Sequence, residues 1–133
     1  MTETFFSVSL STRLVTTDDS SEKVLEAARK SLGFRVEQWD EPDAPDARTL
    51  RRRLEREGYT VFEWADRPGA YYPPHSHPED QSHWVISGAL TLTVGGEEYT
   101  LRAGDRDFLP AWTMHEARVE GPEAAVYLIG SKD

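Results

Sequence analysis

Apolar and polar side chains follow two different periods along this chain, and the change falls near residue 58. Early on, Phe6, Val8 and Leu10 alternate with Ser7, Ser9 and Ser11, the period of a strand with one buried face, and Leu14 and Val15 extend it. Asp18 to Ser21 then offer helix caps, and Val24, Leu25, Ala28 and Leu32 recur at helical spacing up to Gly33, which predicts a helix over about 21–32. Phe34 to Trp39 alternates again as a short strand, and Pro42 and Pro45 make 40–46 a loop. A second helix is predicted from about Asp46 to Glu57, with Leu50 and Leu54 as a narrow apolar stripe that rests on a surface and Gly58 as its stop.

Beyond Gly58 short strands follow one another between turn residues. They are predicted at 59–64, 81–86, 90–94, 97–101, 108–110, 115–119 and 124–129, with the histidine-rich stretch on an extended segment between the first two. Leu90, Leu92 and Val94 give the clearest alternation, and Gly95-Gly96 is a two-residue hairpin turn. Counting the extended stretch, about eight strands are expected. The pattern predicts a mainly β protein: a small antiparallel β-barrel or sandwich over 59–133, with 1–58 as a strand-helix-helix extension packed against it.

Composition narrows the function. A chain of 133 residues with 38% apolar positions supports one ordinary domain. A formal charge of -9 argues against nucleic acid or an anionic membrane as partner. Arg48, Arg51, Arg52, Arg53 and Arg56 on the second helix do not change this, because Glu55 and Glu57 interleave with them and the face reads as solvated. No cysteine is present, so any metal must be held by nitrogen and oxygen donors. Met1 to Phe6 lacks a basic leader region and no stretch approaches ~18 consecutive apolar residues, giving a cytoplasmic expectation.

The histidines change the picture most. His75, His77 and His83 fall within nine positions, and His115 follows a second Gly/Pro-punctuated stretch. Side chains two apart on an extended segment share a face, so His75 and His77 can aim at one centre. Neutral imidazole is the commonest protein ligand for transition metals. Gln81 or His83 can supply a third donor and His115 a fourth. An isolated His-x-His is more often a surface loop than a site; the spacing around this one argues otherwise.

That spacing resembles the cupin superfamily, in particular its small single-domain members. Gly69, His75, His77 and Gly88 stand at the positions of the first cupin motif, with Gln81 where glutamate is usual. Gly104, Pro110 and His115 match the second motif, with Trp112 in place of glycine and Val119 in place of asparagine. The resemblance implies a jelly-roll barrel in which His75, His77, Gln81 and His115 ligate a divalent transition metal, whether iron, manganese, nickel, zinc or copper. His83, Trp112 and Tyr72 then back a ligand or touch the substrate.

Glutamine in place of glutamate leaves a bound ion its full double charge, which favours an anionic, chelating small molecule. Carboxylate-free three-histidine sites are familiar in cupin dioxygenases, and a dioxygenase-like enzyme acting on a small polar or anionic molecule is the implied activity. A metal-dependent sugar or keto-acid isomerase and a non-catalytic metal or small-molecule binder are the alternatives. Open barrel edges and the apolar Phe6 to Leu10 strand lead to an expected homodimer in which that strand meets the partner. Metal affinity is expected to weaken as pH falls through about 6.5.

Overall fold

The computed structural model describes residues 33–133. The expected Phe6 to Leu10 strand, its place at a dimer interface and the helix over 21–32 lie outside the described residues. The elements in chain order are β1 (Arg35–Glu37), α1 (Ala47–Arg56), β2 (Thr60–Asp66), β3 (Tyr71–His75), β4 (Asp80–Ser87), β5 (Ala89–Val94), β6 (Glu97–Arg102), β7 (Arg106–Phe108), β8 (His115–Arg118) and β9 (Ala125–Lys132). They form a five-stranded sheet in the order β1-β7-β4-β9-β2 and a four-stranded sheet in the order β3-β8-β5-β6. Every pairing is antiparallel. This is the expected mainly β, jelly-roll barrel. Strand β1 and α1 precede the expected division at residue 58, and β1 pairs with β7 at a sheet edge through Arg35 to Phe108 and Glu37 to Arg106.

The core lies between the sheets, where Val85 and Tyr127 of one meet Leu90, Leu92 and Ala117 of the other. Strand β4 runs down the middle of its sheet and is buried on both faces. Gln81, His83 and Val85 alternate toward the interior, while Ser82 and Trp84 face the opposite side. That outer face is covered by α1, whose Leu50 and Leu54 are fully buried against Tyr59, Val61, Trp84 and Leu128. Burying each leucine contributes about 1.5–3 kcal/mol. Asp46 caps the helix by accepting from the Thr49 amide at 3.0 Å, and Arg53 and Arg56 sit in its last turn where the helix dipole favours cations. Arg106 anchors the junction: it is 3% exposed, lies 4.3 Å over the Trp84 ring and pairs with Glu57 through both terminal nitrogens.

One local reading of the pattern is given bounds and another needs correction. The extended stretch counted among the expected strands is β3, Tyr71–His75, which holds its strand despite Pro73 and Pro74. It lies at the edge of its sheet, where a missing N–H need not face a partner, and its register to β8 shifts between Tyr72 and His75. The strand expected at 108–110 lies instead at Arg106–Phe108, and Leu109 makes only an isolated bridge to Gln81. The Gly95-Gly96 hairpin is as expected, with Val94 paired to Glu97. Gly104 has a spatial reason as well as a positive φ of 94°, since a Cβ there would lie 2.1 Å from Trp39.

Candidate metal centre

His75 ends β3, His77 follows in the adjoining loop and His115 opens β8 directly across from His75. Their ligand-bearing nitrogens all lie within 4.8 Å of one another. The ring centroids are 4.7 Å apart for His75 and His77, 4.3 Å for His75 and His115, and 5.1 Å for His77 and His115. The backbone sets two of the tautomers. His75 Nδ1 is 2.6 Å from the Pro73 carbonyl and His115 Nδ1 is 2.9 Å from the Thr113 carbonyl. A carbonyl only accepts, so both Nδ1 atoms carry a proton, and in the neutral ring the lone pair is the one on Nε2.

Electrostatics favour the neutral ring at His115 and His77. Burial lowers the His115 pKa to about 4, with the neighbouring His75, His83 and His77 adding to the effect against the Thr113 bond. His77 is also lowered, first by burial and then by His75 and His83. Neutral imidazoles converging on one point are a nitrogen donor set suited to iron, copper, nickel or zinc, so the residues present fit a divalent transition metal. Gln81 is 9% exposed and lines the same cavity. Its Nε2 donates to Ser131 Oγ at 3.3 Å, which leaves Oε1 as the atom to offer a ligand. Gln81→Glu is therefore expected to hold a divalent ion at least as tightly as the parent, measured by calorimetric titration with Zn²⁺.

His83 stands outside the histidine trio but on the same cavity wall. Its Nδ1 lies 2.9 Å from Asp107 Oδ2, and its backbone N–H donates to Asp107 Oδ1 at 2.6 Å. Asp107 is fully buried. Burial alone pushes His83 down, but the charge and hydrogen bond of Asp107 outweigh it and raise the pKa above the ordinary value. Sequence reasoning missed Asp107, which carries no local signal because the packing of β7 against β4 creates the pair.

Tyr72 lines the cavity, as do Trp64 and Tyr127, which the sequence did not single out. Leu90, Leu92, Ala117 and Ile129 make the apolar part of a cavity of about 250 Å³. Trp112 is elsewhere. It is 54% exposed and not on the cavity wall, and its backbone N–H donates to the His77 carbonyl at 2.6 Å. Its φ is 61°, the conformation that glycine adopts without strain. Trp112→Gly is accordingly expected to be about 1 kcal/mol more stable than Trp112→Ala in urea unfolding, because only glycine relieves the left-handed backbone.

Fold and site together define a small β-barrel protein with a histidine-lined cavity of metal-ligating character. The chain belongs to the cupin family: the Cupin domain model matches residues 62–130. Among curated proteins it is similar to a mannose-1-phosphate guanylyltransferase of Salmonella muenchen, with 33% identity over 60 residues; the match covers 44% of this chain, which spans only 13% of that enzyme's length. Among solved structures it resembles an uncharacterized conserved protein with a double-stranded β-helix domain from Klebsiella pneumoniae, at 28% identity and a TM-score of 0.50, covering 55% of this chain and 65% of the other. A putative mannose-6-phosphate isomerase from Ralstonia eutropha aligns at 25% identity and a TM-score of 0.52, covering 59% and 77%. No helix among the described residues is long and apolar enough to cross a membrane.

Proposed function

We propose that this cupin is a metal-dependent enzyme that moves a proton on a small oxygen-bearing molecule, with keto-enol isomerisation as the reaction class. The observation that carries this reading is the His83–Asp107 pair beside the histidine trio on one cavity wall. His75, His77 and His115 would hold the ion, with Gln81 Oε1 as a fourth donor. A bound divalent ion supplies Lewis acidity, polarising a carbonyl oxygen and acidifying the neighbouring C–H. Asp107 keeps the proton on His83 Nδ1, so Nε2 would take a proton from the carbon beside the carbonyl and deliver it to the carbonyl oxygen, giving the enol with no net oxidation. The apolar wall of Leu90, Leu92 and Ile129 limits water around the exchanging proton. Similarity to the putative mannose-6-phosphate isomerase supports the same class.

The dioxygenase reading rests on a different feature, the neutral Gln81 that leaves the donor set free of carboxylate. The two separate in one experiment. Metal-loaded protein is incubated in D₂O with a panel of hydroxy-ketones and keto acids while oxygen is monitored. Isomerisation predicts deuterium at the carbon next to the carbonyl with no oxygen uptake. Oxygen consumed in step with substrate, without deuterium exchange, would replace it with dioxygenation.

A further inference from the structure

Beside the histidines, three aromatic side chains of the cavity wall share a buried carboxylate that the proposed chemistry does not use. Asp66 is 7% exposed. Its Oδ1 accepts from the Tyr72 hydroxyl at 2.6 Å and from the Trp64 indole at 3.0 Å, and its Oδ2 accepts from the Tyr127 hydroxyl at 2.6 Å. Trp64 Nε1 also lies 3.2 Å from the Tyr72 oxygen. Each donor of these aromatic side chains is thus directed at Asp66 or within its network. Burial and the Asp66 bond raise Tyr127, and the Asp66 bond with burial raises Tyr72, so both phenols remain protonated donors. Among the described residues no lysine, arginine or histidine pairs with Asp66.

Trp64, Tyr72 and Tyr127 line the cavity, with Asp66 behind them. They offer a ligand aromatic rings and phenol lone pairs but no free proton. The aromatic quadrupole and the uncompensated carboxylate make this end of the cavity attractive to positive charge and hostile to a phosphate or carboxylate. A divalent ion held by the trio would give that end the opposite character. The β8 partners of Tyr72 and His75, Ala117 and His115, are two residues apart, about 7 Å of strand rise, so the two ends are separated along one cavity.

We propose that the cavity selects a small zwitterion, with an anionic oxygen group at the histidine trio and an alkylammonium group held by Trp64, Tyr72 and Tyr127 over Asp66. The anionic end rests on the metal-site reading above; the cationic end does not. The test compares 4-(trimethylammonio)butanoate with 5,5-dimethylhexanoate, its carbon isostere, by calorimetric titration of Zn²⁺-loaded and metal-free protein. The ammonium compound is expected to bind about tenfold more tightly than the isostere in both forms. Asp66→Asn and Trp64→Leu should each reduce that ratio to under about threefold while Zn²⁺ content stays at the parent value. Trp64 is half-exposed, so its replacement keeps the test open if Asp66→Asn fails to fold. Equal affinity for the two compounds, or a ratio unmoved by Trp64→Leu, overturns the proposal. Should zinc leave both affinities unchanged while the ratio persists, the cationic subsite stands and the zwitterion assignment fails at its anionic end.

Discussion

Asp107→Asn is expected to lower turnover by about 10²- to 10⁴-fold, the range of a lost general acid-base, while metal content stays at the parent level. Asparagine preserves shape, and its Oδ1 can still accept from the His83 backbone N–H, now bonded to Asp107 at 2.6 Å. Its NH₂ group cannot accept from His83 Nδ1–H. The imidazole must then present Nδ1 as acceptor and carry its proton on Nε2, the atom that has to receive one from substrate. His83→Ala is expected to cause a comparable loss, and the double variant little more, because the two side chains act as one unit. Steady-state turnover on a substrate found in the deuterium screen, with elemental analysis of each variant, checks this. An Asp107→Asn enzyme of parent activity would remove the pair from the chemistry.

The metal-free protein is expected to lose about 3 kcal/mol of stability between pH 6.5 and pH 4 through His115 alone. Its folded-state pKa is lowered to about 4 by burial and by the neighbouring imidazoles, whereas the unfolded value is near 6.5. As pH falls the unfolded chain takes up the proton first, so stability present above pH 6.5 is lost on the way down to pH 4. His77, lowered in the same direction, adds to the loss. His83 acts with the opposite sign: its folded pKa is raised, so its contribution is complete below the unfolded value and fades as pH rises through the folded one. Urea unfolding of metal-free protein across this range measures the slope, and His115→Gln should flatten it. The same shift alters the sequence-based expectation for metal binding, since His115 stays neutral well below pH 6.5 and its share of the affinity loss moves toward pH 4.

Much of the fold is legible in local pattern because its causes are local. Leu90, Leu92 and Val94 alternate because one face of β5 is buried, and Leu50 and Leu54 stand four apart because α1 touches its sheet along one stripe. Strand β3 is legible only as an extended stretch without bounds, because Pro73 and Pro74 are tolerable only at a sheet edge, and edge position is a property of the assembled barrel. The same division runs through the site. His75 and His77 declare themselves by spacing, and His115 by the punctuation before it, yet the carboxylates that give the cavity its chemistry do not. Asp66 meets Tyr127 from 61 positions away and Asp107 meets His83 from 24, contacts set by tertiary packing alone. Trp112 is a middle case: glycine is usual at its position in the motif it resembles, and its φ of 61° keeps that conformation although the residue differs.

The central claim is that His75, His77 and His115 form one divalent-metal site. Elemental analysis of the full chain purified without added metal, beside a variant with all three histidines changed to alanine, tests it most directly. One transition-metal ion per parent chain and almost none in a folded variant is the predicted result. Equal metal content in the two proteins, or a parent chain that neither retains nor takes up an ion when offered Zn²⁺, Fe²⁺ or Mn²⁺, would contradict it.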